Sequence, residues 1–149
     1  MYNKAGSERM NNIVEIIRSL ESAVHRHSAR IKSFRRRLRG YQQGKVTEDE
    51  LKNSLGKLIR SSRKLEKVFT LVQDTLSSVH LDTETSERIH LLAFFVYEVA
   101  INEELDLWKR VSRIPELAPV AGDIDAHIAR LEKLRNLVSS VLAGTKLAD

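Results

Sequence analysis

The sequence predicts an all-α protein: a long antiparallel, basic helical hairpin with two further C-terminal helices packing on it as a bundle. Three observations lead there. Apolar stripes in residues 13–41 and 51–79 each hold alternating spacings of four and three for about four heptads, the pattern of helices that wind round each other. The stripes also match layer by layer. Leu38 and Leu51, Phe34 and Leu55, Ile31 and Leu58, Val24 and Leu65, Leu20 and Phe69, Ile17 and Val72, and Ile13 and Leu76 all add to 89, so one antiparallel register serves every layer. Finally, only six glycines and two prolines interrupt 149 residues, a composition suited to helices.

The first helix is expected to begin between Ser7 and Asn12, leaving Met1 to Gly6 as a frayed arm. Its stripe is Ile13, Ile17, Leu20, Val24, His27, Ile31, Phe34, Leu38 and Tyr41. Gly40 and Gly44 bracket its end, where a helix C-terminus needs positive-φ freedom. Thr47 followed by Glu50 reads as a capping box, and Asp49 adds negative charge to the first turn of the next helix. That second helix should run from Glu48 to about His80 on the stripe Leu51, Leu55, Leu58, Ser62, Leu65, Phe69, Val72, Leu76 and Val79. Gly56 lies off the seam at a cost of ~1 kcal/mol against alanine, as a tolerated surface glycine or as a hinge. The polar breaks His27 and Ser62 also add to 89 and are expected to face each other as a register-setting pair. A 29-residue helix is roughly 43 Å long, so the hairpin is a rod.

Leu81 to Thr85 is a break, with Thr83, Thr85 and Ser86 as candidate N-caps of a third helix opened by Glu87 and Arg88. From Ile89 to Ile101 this helix is apolar almost all round and must be covered on more than one side, by the hairpin base or by another subunit. Phe94, Phe95, Val99 and Trp108 are therefore the candidates for self-association. The helix continues as an amphipathic stretch to Arg113, and Pro115 ends it. Pro119, Gly122 and Asp123 mark a turn, after which Ile124, Ile128, Leu131, Leu134, Val138 and Val141 form a last helix ending at Gly144 as its C′ residue. The tail Thr145 to Asp149 has no evident structure. The chain thus reads as one helical domain, 1–149, with the hairpin in 7–80 and acidic helices three and four in 84–144.

Charge is unevenly placed. Residues 22–67 hold 14 Lys and Arg against four acids, a local balance of +10, residues 1–21 balance at zero, and residues 68–149 balance at −5. No acid stands between Glu21 and Glu48, where Arg26, Arg30, Lys32, Arg35, Arg36, Arg37 and Arg39 follow one another. Helix two answers with Lys57, Arg60, Arg63, Lys64 and Lys67. A self-repelling rod of this kind suits a polyanion, either the nucleic-acid backbone or an anionic membrane. The seven cations of the first helix are spread over all its non-seam positions, so no single face is favoured. Phe34 and Tyr41 are claimed by the seam, which disfavours stacking on bases. A +10 end and a −5 end on one chain favour head-to-tail contact with further copies, a homo-oligomer or filament.

Chemistry-bearing motifs are missing. There is no cysteine, phosphate-binding glycine loop, nucleophile elbow or His-Glu-x-x-His pair. His25 and His27 lie on different faces, and His80, His90 and His127 have no partner at ligand spacing. Glu103, Glu104 and Asp106 form a small acidic cluster expected to be solvated or Arg-paired. No catalytic residue, metal, cofactor or small-molecule substrate is expected. The longest apolar run is six residues, and the first twelve are mostly polar, so a cytoplasmic location is expected.

A basic first helix, a short turn, a second antiparallel helix and then shorter acidic helices resemble the core of the ESCRT-III family, its archaeal cell-division members in particular. Lys64 to Glu84, with Leu65, Val68, Val72, Leu76, Val79 and Leu81, is similar to the end of that family's second helix. Ile114, Pro115 and Glu116 ahead of Ile124 and Ile128 are similar to its Pro-Glu turn. The resemblance implies a filament subunit that remodels anionic membranes through the surface Arg26 to Arg39. Thr145 to Asp149 does not hold the motif by which that family recruits its disassembling ATPase. Two other classes are open: a nucleic-acid-coating helical subunit, as in a CRISPR effector complex or a filamentous archaeal virus coat, and a coiled-coil adaptor that docks through Ile89 to Ile101.

Overall fold

The computed structural model describes residues 4–146, with side chains from Asn12 onward, and these residues are all-helical without a strand among them. Helix α1 spans Lys4–Gln42 and α2 spans Glu48–Ser78, about 58 Å and 46 Å at 1.5 Å per residue. Lys4 to Gly6, expected as part of a frayed arm, lie within α1; Met1 to Asn3 and Leu147 to Asp149 lie outside the described residues. In the connection, Lys45 and Val46 N–H both donate to Gly40 O, and Gly44 takes φ +74°, which glycine reaches without a Cβ clash. Thr47 caps α2 by accepting from Glu50 N–H at 3.2 Å. The Glu50 carboxylate faces Arg37 across the pair, 3.9 Å away.

The two stripes are buried against each other because they are the only continuous apolar faces the two helices own. Leu20, Phe34, Leu51, Leu55, Leu58 and Phe69 are fully buried, while the end residues Ile13, Tyr41 and Leu76 are half-buried. Cross-helix partners sit at Arg37 with Glu50 and at His27 with Ser61, so positions descend on α1 as they climb on α2. Ser54, Ile59, Ser61 and Val68 of α2 are also buried. These lie beside the stripe, where later helices cover a second flank of α2.

Those helices are α3, Thr83–Phe95; a π-helical segment, Val96–Ala100; α4, Ile101–Val111; a 3-10 turn, Pro115–Leu117; α5, Ala118–Ala121; and α6, Ile124–Gly144. Asp82, and none of the three expected hydroxyl residues, caps α3 by accepting from Thr85 N–H at 2.7 Å. Hydrogen bonds from the Thr85 side chain and backbone hold the Asp82 carboxyl below the usual range. In the π segment Ile101 N–H reaches back five residues to Val96 O. One residue more than an α-helix needs is thus accommodated, and Ile101 and Trp108 fall in line with the buried Ala93 and Val96.

Ile114 is extended ahead of Pro115, as the proline ring demands. Gly122 takes φ +65° between α5 and α6, and Asp123 caps α6 through Ala126 N–H. Gly144 is the last residue of α6, with Thr145 rather than an αL glycine beyond it. Thr145 is buried: its hydroxyl donates to Val141 O at 2.8 Å, and His90 Nδ1 lies 2.9 Å from the same hydroxyl. Helix α6 touches α2, α3 and α4 and inserts Leu131, Leu134, Val138 and Val141 between them.

The apolar third helix, expected to be covered on more than one side, buries part of its surface and leaves another part open. Ile89, Ala93, Val96, Ala100 and Ile101 are buried, but Leu91 is 63 %, Phe94 52 % and Val99 37 % exposed. Four aliphatic or small positions per two turns are enough to seat the helix, so its outer face stays open to water.

Candidate functional site

The cations that the sequence singles out separate into groups once the helices are in place. Arg26, Arg30, Lys57, Arg60 and Lys64 line one recess of about 360 Å³ between α1 and α2, with Ser61. The i, i+4 spacing of Arg26 and Arg30 sets them on one strip of α1. The i, i+3, i+7 spacing of Lys57, Arg60 and Lys64 does the same on α2. None of these five has an ion-pair partner among the described residues, whereas Arg35 pairs with Glu103 at 3.1 Å and Arg37 stands 3.9 Å from Glu50. Lys32, Arg36 and Arg39 are exposed on α1 and line none of the recesses described. Arg26 and Arg30 of α1 thus share a recess with cations of α2, while the other α1 cations stand elsewhere, Arg35 and Arg37 beside acids of the same chain.

Arg63 and Lys67 form a second group with Arg130 of α6 around a recess of about 390 Å³. Arg130 was outside the sequence-derived set, because it stands 63 or more positions away in the acidic part of the chain and only the packing of α6 on α2 brings it there. Its guanidinium is 3.7 Å from Glu66 and 3.4 Å from Ser62 Oγ. Arg60 and Arg63 also border a recess of about 620 Å³ that reaches Gly122, His127 and Arg130. Gly56 lines it, and a Cβ there would only touch the Arg60 guanidinium at 3.5 Å, an ordinary contact.

Beneath these cations lies a buried polar cluster. His27 and Glu104 are 1 % and 0 % exposed, with Nε2 and Oε1 2.6 Å apart. The two atoms approach closely without the alignment of a hydrogen bond, and Oε1 has no hydrogen-bond donor. Oε2 accepts from Trp108 Nε1–H at 2.9 Å and from Ser62 Oγ–H at 3.1 Å. Ser61 Oγ–H donates to Leu58 O, which leaves its oxygen to accept from His27 Nδ1–H at 2.8 Å. So His27 takes Ser61 and Glu104 as partners, not Ser62 directly as the register of 89 predicts, and Ser62 joins the same cluster through the carboxylate. Glu104 was placed in an exposed acidic cluster by its neighbours Glu103 and Asp106. These do face cations, Arg35 and Arg110.

Trp108 is corrected as a self-association residue: it is 0 % exposed, with its indole stacked on His127 at 4.0 Å between ring centroids. His127 Nε2–H donates to Ala121 O at 2.6 Å. Burial pushes the His127 imidazole below its ordinary value, with Arg130 and Arg63 adding to the effect against the opposing Ala121 carbonyl and Glu104. The cluster joins α1, α2 and α4 and leaves Glu104 Oε1 without a hydrogen-bond donor. Of the self-association candidates, Phe94 and Val99 lie open and Phe95 is half-buried; Leu91 joins them. Comparison with protein-family models, curated proteins and solved structures returns no match. Among the described residues no group of three or more His, Asp or Glu is placed to hold a metal, and no helix is long and apolar enough to cross a membrane.

Proposed function

We propose that this chain is a non-catalytic, self-associating helical protein that binds a polyanion through the α1–α2 face. In this reading α1 and α2 act as an antiparallel basic hairpin, and α3 to α6 brace it from one side. The observation that carries it is the strip Arg26, Arg30, Lys57, Arg60 and Lys64, five cations around one recess without an acidic partner among the described residues. Unpaired cations held close together raise the local potential and are relieved by a polyanion. The membrane-remodelling form of this function, a filament subunit of the ESCRT-III kind in the cytoplasm, is supported by the resemblance in sequence pattern. An adaptor reading is favoured by one observation, the open strip Leu91, Phe94 and Val99, and the same strip serves self-association in the polyanion reading.

The test is co-sedimentation or pull-down of the protein with anionic vesicles and with nucleic acid across a salt series, beside the triple change Arg26→Glu, Arg30→Glu and Arg60→Glu. Binding to either polyanion that weakens with salt and is lost in the variant is expected. Binding to neither, with the strip still engaging protein partners, would leave the adaptor in its place.

A further inference from the structure

We infer that the cationic recesses form one track for a single linear chain of phosphates, read along its backbone and without regard to bases. The inference rests on the polyanion reading above and narrows its ligand. Three concavities adjoin. The first, between α1 and α2, is walled on one side by Arg60, and Arg60 is also a wall of the second, which lies toward the α5–α6 turn. The second and third share Arg63 and Arg130, and the third adds Lys67. The recesses therefore meet at cations, and a bound chain would pass from one to the next over a guanidinium.

Only two acids line this path, Asp123 and Glu66. Asp123 accepts from Ala126 N–H at the start of α6, and Glu66 pairs with Arg130. From Lys57 to Lys67 the path advances along α2 by about 15 Å. At the roughly 3.4 Å per phosphate of a strand stacked as in duplex, that length spans at most about four phosphates.

Concavity decides between classes of polyanion. A bilayer presents a broad, gently curved sheet of headgroups, which would meet exposed cations such as Arg36, Arg39, Arg60 and Arg63 alike but not the half-buried Arg30 and Lys57 of the first recess. A single chain enters a groove. No Phe, Tyr or Trp lines any of the three recesses, and the one aromatic ring there, His127, is 8 % exposed and stacked on Trp108. Bases have nothing to stack on, so sequence is not read.

The experiment is fluorescence anisotropy of the full chain with labelled 20-mers of oligo-dT and oligo-dA, in parallel with the same sequence as duplex, with inorganic polyphosphate as competitor, and with phosphatidylserine-containing vesicles. Two variants are compared: Arg60→Glu with Arg63→Glu, the shared walls, and Arg36→Glu with Arg39→Glu, exposed cations outside the track. Circular dichroism confirms that both fold. The inference expects the two strands to bind within about threefold of each other. It expects the first variant to lose about tenfold or more and the second about threefold or less, with log affinity falling against log salt at a slope of about −3 or shallower. Polyphosphate should displace the strand. Equal losses in the two variants, tighter binding of duplex than strand, or failure of polyphosphate to compete would overturn the track. Vesicle binding without strand binding would overturn it too and leave the polyanion reading standing. Binding to no polyanion would end both.

Discussion

Replacing Glu104 by alanine strikes the one place where three helices share a charge. The carboxylate is fully buried, so its removal strands His27 Nε2, Trp108 Nε1–H and Ser62 Oγ–H together. Each buried polar group left without its partner costs about 1–3 kcal/mol. Three are stranded together, so a loss of about 4–6 kcal/mol is expected, a large share of the roughly 5–15 kcal/mol a domain holds in reserve. Glutamine behaves differently. Its carbonyl oxygen can still accept from Trp108 and Ser62, and its amide keeps a polar group against His27. Glu104→Gln should therefore cost only about 1 kcal/mol. Urea unfolding followed by far-ultraviolet circular dichroism measures both. At an m-value of about 2 kcal/mol/M the alanine variant moves the midpoint by about 2–3 M and the glutamine variant by about 0.5 M. Equal midpoints for the two variants, or a shift for alanine below about 0.5 M, would refute the account of the cluster.

His127, whose imidazole is held below its ordinary 6.5 by burial, binds its proton more readily in the unfolded chain. Its contribution to stability is therefore full above pH 6.5 and is lost as pH falls through the lower, folded value; His127→Phe should flatten the fall in urea midpoint between pH 7.5 and 5.0 relative to the parent. Gly122→Ala forces a side chain to φ +65° and is expected to cost about 1–2 kcal/mol, read as a lowered midpoint without a changed m-value. Leu91→Asp with Phe94→Asp alters exposed side chains, so the unfolding midpoint should move by less than about 0.5 kcal/mol equivalent while any concentration-dependent sedimentation of the parent disappears.

Local signals were legible in the sequence, and signals made by packing were not. The stripe from Leu20 to Leu38 and its counterpart from Leu51 to Val72 repeat often enough that their burial follows from spacing alone. Thr47 could be read as a cap because it stands alone between a glycine turn and an apolar run; at the next helix Asp82 was passed over because three hydroxyl residues after it compete for the same role. Glu104 illustrates the limit at the site. Flanked by Glu103 and Asp106 it looks like surface, and its partner His27 lies 77 positions away, so nothing local distinguishes a buried carboxylate from a solvated one. Arg26 and Arg30 were identifiable as cations, but their convergence with Lys57 and Lys64, and the arrival of Arg130, depend on how α1 and α6 lie against α2.

The π segment bears on which changes of length this chain can absorb. Removing one residue from the interior of a packed helix normally turns every later side chain by about 100° relative to its surroundings. Between Val96 and Ala100 the chain already carries a surplus residue, so deleting the half-exposed Val99 would let the backbone close into an ordinary α-helix. Ile101, Glu104 and Trp108 would keep their bearings. The same deletion at Leu92, about two turns earlier, would have to be corrected by the surplus downstream and would drag Ala93 and Val96 out of place first. Insertions have no such reserve in either position. Homologous chains one residue shorter should therefore show their gap within this single turn, which makes it a natural site of length variation in an otherwise length-constrained helix.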